Sequence, residues 1–438
     1  MKVLPFRAYR YNPAKVPDLS RVVAPPYDQI DAEARETLHA LHPGNFVRVT
    51  LGRPEPGESG EAERHRRARQ HLDRWMAEQI LIRDAAPALY PYLTTYRVGG
   101  ETLTRRGLIV LGELAEYGEG IVLPHERTHA GPKIERLAHL EATGADTGLI
   151  FMLTGDPTGE LAHATAPPGR SPLAEAYDGR GELHRIWAIT DPGAIARIQA
   201  LMAGRRLIIA DGHHRYETAL EYRRGHPGAG LKLMAIFPLE GPGITILPTH
   251  RLLHRVEGFD LRALLARAEA WFEIERVPSP PDPSAEAGLL TRALDDRIRA
   301  GRIAIAVVAG TEGPGWLLAL RPSAFDVIPW PPGTGAAWRR LAVSVLHEGL
   351  LKPLVGLTEE ILRQQSRVDY TADAAEAVTL VRKGSYQAGF LIPPTTPEEI
   401  DAVVRAGETL PQKSTFFYPK LLDGLVFFRF AEEAGGRP

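Results

Sequence analysis

Residues 206–226 read RLIIADGHHRYETALEYRRGH, and the ten residues DGHHRYETAL at 211–220 decide the fold. The apolar run Leu207-Ile208-Ile209-Ala210 has strand character and stops at Asp211-Gly212. From His213 the residue types predict a helix, so the segment reads as strand, tight loop, helix. Gly212 lets the backbone approach a ligand closely. The first helical turn carries unpaired N–H groups and the positive end of the helix dipole. His213, His214 and Arg215 add donors at that anion-friendly end, and the arginine fork suits phosphate oxygens. Asp211 could hold Mg²⁺ or cap the helix. A lone loop Asp, His or Arg is more often an N-cap, a satisfied polar group or an ion-pair partner. The four together, between a clean strand and a clean helix, reverse those odds and point to a phosphate-binding site. Adjacent histidines on a helix point about 100° apart, so His213 and His214 do not make a zinc site.

The surrounding sequence extends this α/β rhythm. GLIFMLTGD (148–156) and LKLMAIFPLE (231–240) read as strands, as do VRVTL (47–51) and LIVLGEL (108–114). AERHRRARQHLDRWMAEQI (62–80) reads as a helix with Leu72, Trp75, Met76 and Ile80 turned inward. In the last third, RIAIAVVAG (302–310) and residues 386–392 are strand-like. The segment near 358–366 and PTTPEEIDAVVRAGE (394–408) are helical, the latter with a Thr/Pro start and early acids. At 438 residues the chain exceeds one hydrophobic core. The expected division is an N-terminal α/β region at 1–115, a nucleotide-binding domain at 116–240 and a C-terminal α/β domain at 241–438.

Composition removes several function classes. There is no cysteine, which excludes disulfides, thiolate catalysis and cysteine-ligated metals. Lys plus Arg number 52 against 54 Asp plus Glu, so no global field favours DNA or an anionic membrane. No 18-residue apolar run or signal-peptide core occurs, which makes the cytoplasm the expected compartment and a membrane an unexpected partner. The string His125-Glu126-Arg127-Thr128-His129 spells H-E-x-x-H. A zinc protease needs that string on several helical turns. Pro124 before it and Gly131-Pro132 after it leave about one turn, and no third ligand follows.

Four blocks of the sequence carry a resemblance: ADGHHRYETAL, VVAPPYD (22–28), LPHERT (123–128) and PQKSTFFYPKLLDGL (411–425). Together they resemble a bacterial family described only as a domain of unknown function. More distantly, the chain resembles the archaeal ADP-dependent free L-serine kinases of the ParB/sulfiredoxin superfamily. Those kinases carry a Pro-His-Glu, a strand-Asp-Gly-His-His-Arg-helix and a late Lys-Thr-Thr loop in that order. Pro124-His125-Glu126, Asp211–Arg215 and Lys413-Ser414-Thr415 occur here in the same order, and the likeness covers about 116–425. It implies a ParB/sulfiredoxin-like nucleotide-binding domain, with ATP or ADP and Mg²⁺ as cofactors. The implied reaction is phosphoryl transfer to a small hydroxyl acceptor such as free L-serine. Glu126 would take the hydroxyl proton, with His125 beside it. Asp211, Gly212, His213, His214 and Arg215 would hold and orient the phosphates, and Lys413, Ser414 and Thr415 would touch phosphate as well. Residues 1–115 and 127–200 have no counterpart of similar length, and ILPTHRLLH (246–254) stands where the kinases line the serine pocket with aromatics. The acceptor and the choice of ATP or ADP therefore stay open. The alternative is a ParB-like nucleotide-binding regulatory or DNA-associated protein without kinase activity. The balanced charge and the lack of a helix-turn-helix pattern count against it, so nucleic acid is not an expected partner.

Overall fold

A computed structural model describes residues 1–58, 60–126 and 130–430. The chain forms two compact α/β units. The first comprises Met1–Pro124, the described residues from 130 to Thr245, and those from Pro419 to 430. The second comprises Ile246–Tyr418 together with His125 and Glu126.

The first unit is built on nine strands: β1 (Val3–Leu4), β2 (Tyr90–Val98), β3 (Glu101–Glu113), β4 (Val122–Pro124), β5 (Ile150–Thr154), β6 (Ala174–Tyr177), β7 (Leu183–Ile186), β8 (Leu207–Asp211) and β9 (Leu231–Pro238). Their order is β4-β8-β5-β9-β3-β2-β7-β6, with β1 on β3 at Gly112 and Leu111. The sheet is mixed. β8 runs parallel to β4 and antiparallel to β5, while β9 runs parallel to β5 and antiparallel to β3. Strands of residues 1–115 and of residues 116–240 thus share one sheet.

Four helices of this unit are α1 (Glu61–Ala77), α2 (Ala130–Thr143), α3 (Pro192–Met202) and α4 (His213–Gly225), the last of which opens the candidate site. α3 begins as its sequence dictates, with the Asp191 carboxylate accepting from Ala194 N and Pro192 in the first turn. Tyr216, Ala219 and Leu220 of α4 pack into a core with Ile150, Met152, Ile209, Met234 and Ile236. Burying one such large side chain stabilises by roughly 1.5–3 kcal/mol. Tyr216 is fully buried; its hydroxyl donates to Ala115 O at 2.8 Å and accepts from Ala115 N at 3.1 Å. That pair of bonds ties α4 to the end of β3 and fixes where the helix begins.

The second unit holds a six-stranded sheet: β10 (His250–Leu253), β11 (Phe272–Val277), β12 (Ala304–Ala309), β13 (Gly315–Leu320), β14 (Val368–Thr371) and β15 (Ala388–Leu391), in the order β11-β13-β12-β15-β10-β14. Its pairings are antiparallel. Helices α5 (Pro283–Arg299) and α6 (Ala374–Arg382) cover it through a core of Leu290, Leu294, Val308, Leu317, Val378 and Val381. Helix α7 (Pro397–Arg405) opens with a full capping box between Thr396 and Glu399, matching its Thr/Pro start.

One expected strand is a helix. Val47–Thr50 forms a single helical turn although three of its four residues are β-branched. Asn45 Oδ1 accepts from Val47 N at 3.0 Å and opens the turn, and Val47, Val49 and Thr50 are buried. Local capping and tertiary packing outweigh β propensity here.

Candidate functional site

The end of β8 and the start of α4 form the loop that DGHHR predicts. Gly212 takes the helix N-cap position at φ 96°, a left-handed conformation that favours glycine. Its missing side chain also matters, because a Cβ there would stand 3.0 Å from Ile150 Cδ1 and 3.2 Å from Arg215 Nε. Gly212 has no side chain to cap the helix, and no side-chain hydrogen bond caps its start among the described residues. His213 is buried and His214 half-buried, and the His214 carbonyl accepts from Thr218 Oγ1 at 2.7 Å.

Asp211 is partly buried at the strand end, and Lys420 Nζ donates to its Oδ2 at 3.0 Å. Burial disfavours its charge. The Lys420 ammonium and the Arg215 guanidinium outweigh that and hold the carboxyl well below the usual carboxylate range. Asp211 therefore stays ionised, able to meet a cation. Arg215 Nη1 donates to Leu149 O at 2.5 Å. Burial opposes its charge too, but the carboxylates of Asp211, Asp28 and Asp423 prevail and raise its proton affinity.

Residues from both ends of the chain complete this cluster. Ala24 and Asp423 exchange backbone hydrogen bonds, Ala24 N to Asp423 O at 3.1 Å and Asp423 N to Ala24 O at 2.8 Å. That pairing joins the VVAPPYD turn to YPKLLDG. The Tyr27–Gln29 segment is a 3-10 turn bringing Tyr27 and Asp28 into the field of Arg215. Arg105 is buried against the faces of Phe151 and Phe237, 4.6 and 4.9 Å from their ring centres. Its Nη2 donates to Pro419 O at 2.8 Å and so anchors the approach to Lys420. Asp423 is 4% exposed, and its Oδ1 has no hydrogen-bond partner among the described residues. Burial raises its pKa to about 7 against the pull of Arg215, with Asp28 adding to the rise. None of Tyr27, Asp28, Arg105, Lys420 and Asp423 was among the expected site residues. The quoted blocks VVAPPYD and PQKSTFFYPKLLDGL contained all but Arg105.

In the second unit the other expected residues meet one another. His125 Nε2 and Thr415 Oγ1 lie 2.9 Å apart, and the Glu126 carboxylate accepts from Lys413 N at 3.1 Å. Lys413 sits at φ 56°, a strained setting for a side-chain-bearing residue. Ser414 is buried; its hydroxyl donates to Pro411 O and its carbonyl accepts from Thr395 Oγ1 at 3.0 Å. Arg251, fully buried, holds the loop from behind. Its Nη2 donates to Lys413 O at 3.1 Å, and its guanidinium lies 5.3 Å from the Tyr370 ring centre. Burial lowers the Arg251 pKa to about 10, partly offset by Tyr370 and Glu126.

Among the described residues no group of three His, Asp or Glu side chains could hold a metal ion. Arg127, Thr128 and His129 of the H-E-x-x-H string lie outside the described residues. Nor is any described helix long and apolar enough to cross a membrane.

A family model described as "Protein of unknown function (DUF1015)" matches residues 3–305. No curated protein matches. Among solved structures, a conserved hypothetical protein from Pyrococcus furiosus is similar over 74% of this chain and 96% of its own, at 14% identity and a TM-score of 0.35. A free serine kinase in complex with AMP is similar over 74% and 92%, at 16% identity and a TM-score of 0.36. SbnI with C-terminal truncation from Staphylococcus aureus is similar over 72% and 85%, at 12% identity and a TM-score of 0.34.

Proposed function

This chain belongs to the family described as protein of unknown function (DUF1015), and we propose that within it the chain is a small-molecule kinase. It transfers a phosphoryl group from ATP or ADP to a hydroxyl acceptor, with free L-serine the first candidate. The ParB/sulfiredoxin-like nucleotide site is the β8–α4 loop. The observation that carries the reading is the glycine-capped helix start at Gly212, with Arg215 beside it and the Lys420–Asp211 ion pair at the strand end.

Phosphoryl transfer asks little covalent chemistry of a protein; it needs positioning and charge neutralisation. The first-turn N–H groups of α4 donate to phosphate oxygens, and Arg215 adds its Nε and Nη2 edge, which lies on the Gly212 side. His214, half-buried at that turn, adds a donor. Lys420 is positioned by Asp211 at 3.0 Å and turns a second cation toward the site. Asp211, together with the nucleotide's phosphates, would hold Mg²⁺, which would add charge neutralisation; such an ion needs only one or two protein carboxylates. Glu126 is assigned the acceptor's proton. Lys413 N holds its carboxylate oriented, and His125 is held by Thr415. Lys413, Ser414 and Thr415 form the second phosphate-contacting loop, kept in shape by Arg251.

The test is to incubate purified protein with ATP or ADP, Mg²⁺ and a panel of hydroxyl amino acids, and to follow phosphorylated product by mass spectrometry. Product with at least one acceptor, in amounts exceeding the enzyme, supports the reading. Nucleotide binding with no acceptor phosphorylated overturns the kinase assignment and leaves a nucleotide-binding protein.

A further inference from the structure

A pocket in the first unit lies along the face of α4 that carries Arg215, Thr218 and Ala219. Tyr27, Arg136, Gly148, Arg215, Lys232 and Asp423 line it with these, and Leu140, Ala145 and Phe430 supply apolar wall. It offers about 50 Å³ to the centres of water-sized groups.

Its charges are unevenly satisfied. Lys232 Nζ pairs with Asp146 and donates to Gly148 O at 2.7 Å. Arg136 pairs with Glu135 and donates to Thr50 O at 3.0 Å. What remains is one guanidinium, Arg215, and one carboxyl, Asp423. They form no ion pair with each other, yet both border Gly148: a Cβ there would stand 3.3 Å from Arg215 Nη1 and 3.7 Å from Asp423 Oδ1. Asp423 Oδ1 is buried without a hydrogen-bond partner among the described residues, and a group in that position costs stability unless something meets it. A lone anion would satisfy Arg215 and face the Asp423 carboxyl. A lone cation would do the reverse. A molecule carrying both charges on adjacent atoms satisfies the two ends together.

We propose that this pocket binds a small zwitterionic amino acid of glycine or alanine size, its ammonium on Asp423 and its carboxylate on Arg215. Ala145 and Ala219 are small residues in the pocket wall. The site requires no phosphoryl transfer and goes beyond that reading.

Isothermal titration of the full chain at pH 8 with glycine and with L-alanine tests it, against acetate and methylammonium as single-charge probes. Neither amino acid carries a hydroxyl, so the result is independent of any kinase activity. Glycine should bind saturably, and acetate and methylammonium at least about tenfold more weakly, because each leaves one buried charge unmet. Asp423→Asn should weaken glycine by at least about tenfold for the same reason. Gly148→Val, which fills the gap between the two charges, should do so as well, and a thermal melt reports whether each variant is folded. Glycine binding no better than the single-charge probes overturns the proposal without any variant, as does a folded Asp423→Asn that binds glycine like the parent.

Discussion

Replacing Asp423 by Asn should change how the protein's stability depends on pH, by an amount the structure sets. The carboxyl is buried, with an oxygen that has no hydrogen-bond partner among the described residues. Its pKa stands at about 7, raised from 3.8 chiefly by burial. Arg215, Lys232 and Arg136 pull it down and Asp28 pushes it up. In the folded state Asp423 therefore keeps its proton up to about pH 7, whereas in the unfolded chain it ionises near 3.8. Between those values the folded state binds the extra proton, so stability falls as pH rises, and above pH 7 the full cost is present. At about 1.4 kcal/mol per tenfold change in proton affinity, the whole gap is worth about 4 kcal/mol, of which about 3 kcal/mol develops between pH 5 and pH 8. Asn has a similar shape and does not titrate. Urea unfolding of parent and variant at pH 5, 6, 7 and 8 isolates the effect, since every other titration is common to both. The variant's stability relative to the parent should climb by roughly 3 kcal/mol over that range. Parallel curves would refute the claim that burial raises the Asp423 pKa in the folded state.

Three further outcomes are expected. Glu126→Gln, which keeps shape and removes the base, should cut turnover by roughly 10²–10⁴-fold while nucleotide affinity holds within a few-fold, measured separately by product formation and titration. Arg215→Ala should weaken nucleotide use by about 2–4 kcal/mol, the scale of losing one preorganised charge; melts with and without nucleotide distinguish this from unfolding, and an unchanged rate in a folded variant removes Arg215 from the site. Protein purified without chelator should contain no stoichiometric zinc by elemental analysis, and one tightly bound zinc per chain would restore the protease reading of H-E-x-x-H.

The β8–α4 loop was legible because its signals are local: an apolar run, one glycine, a helix. The same holds for β12, for α7 with its capping box, and for β5 and β9. Val47–Thr50 was misread because three β-branched residues suggest a strand, while the deciding cap comes from Asn45 just outside them. Less visible still was the completion of the first unit by residues after Pro419. Lys420 reaches Asp211 across 209 positions, and no periodicity reports such a contact. Arg105 lies in β3 outside the stretch 108–114 expected as strand, and the packing of Phe151 and Phe237 on it reveals its role. Asp423 carries no pattern of its own. Its chemistry arises from burial beside Arg215, which one linear sequence does not display.

The most direct measurement is a crystal structure of the protein with a non-hydrolysable ATP analogue and Mg²⁺. The phosphates should lie at the first turn of the His213–Gly225 helix, within hydrogen-bond reach of its backbone N–H groups and of Arg215, with Asp211 facing the metal. Phosphates bound elsewhere on the chain, with that helix start untouched, would contradict the account.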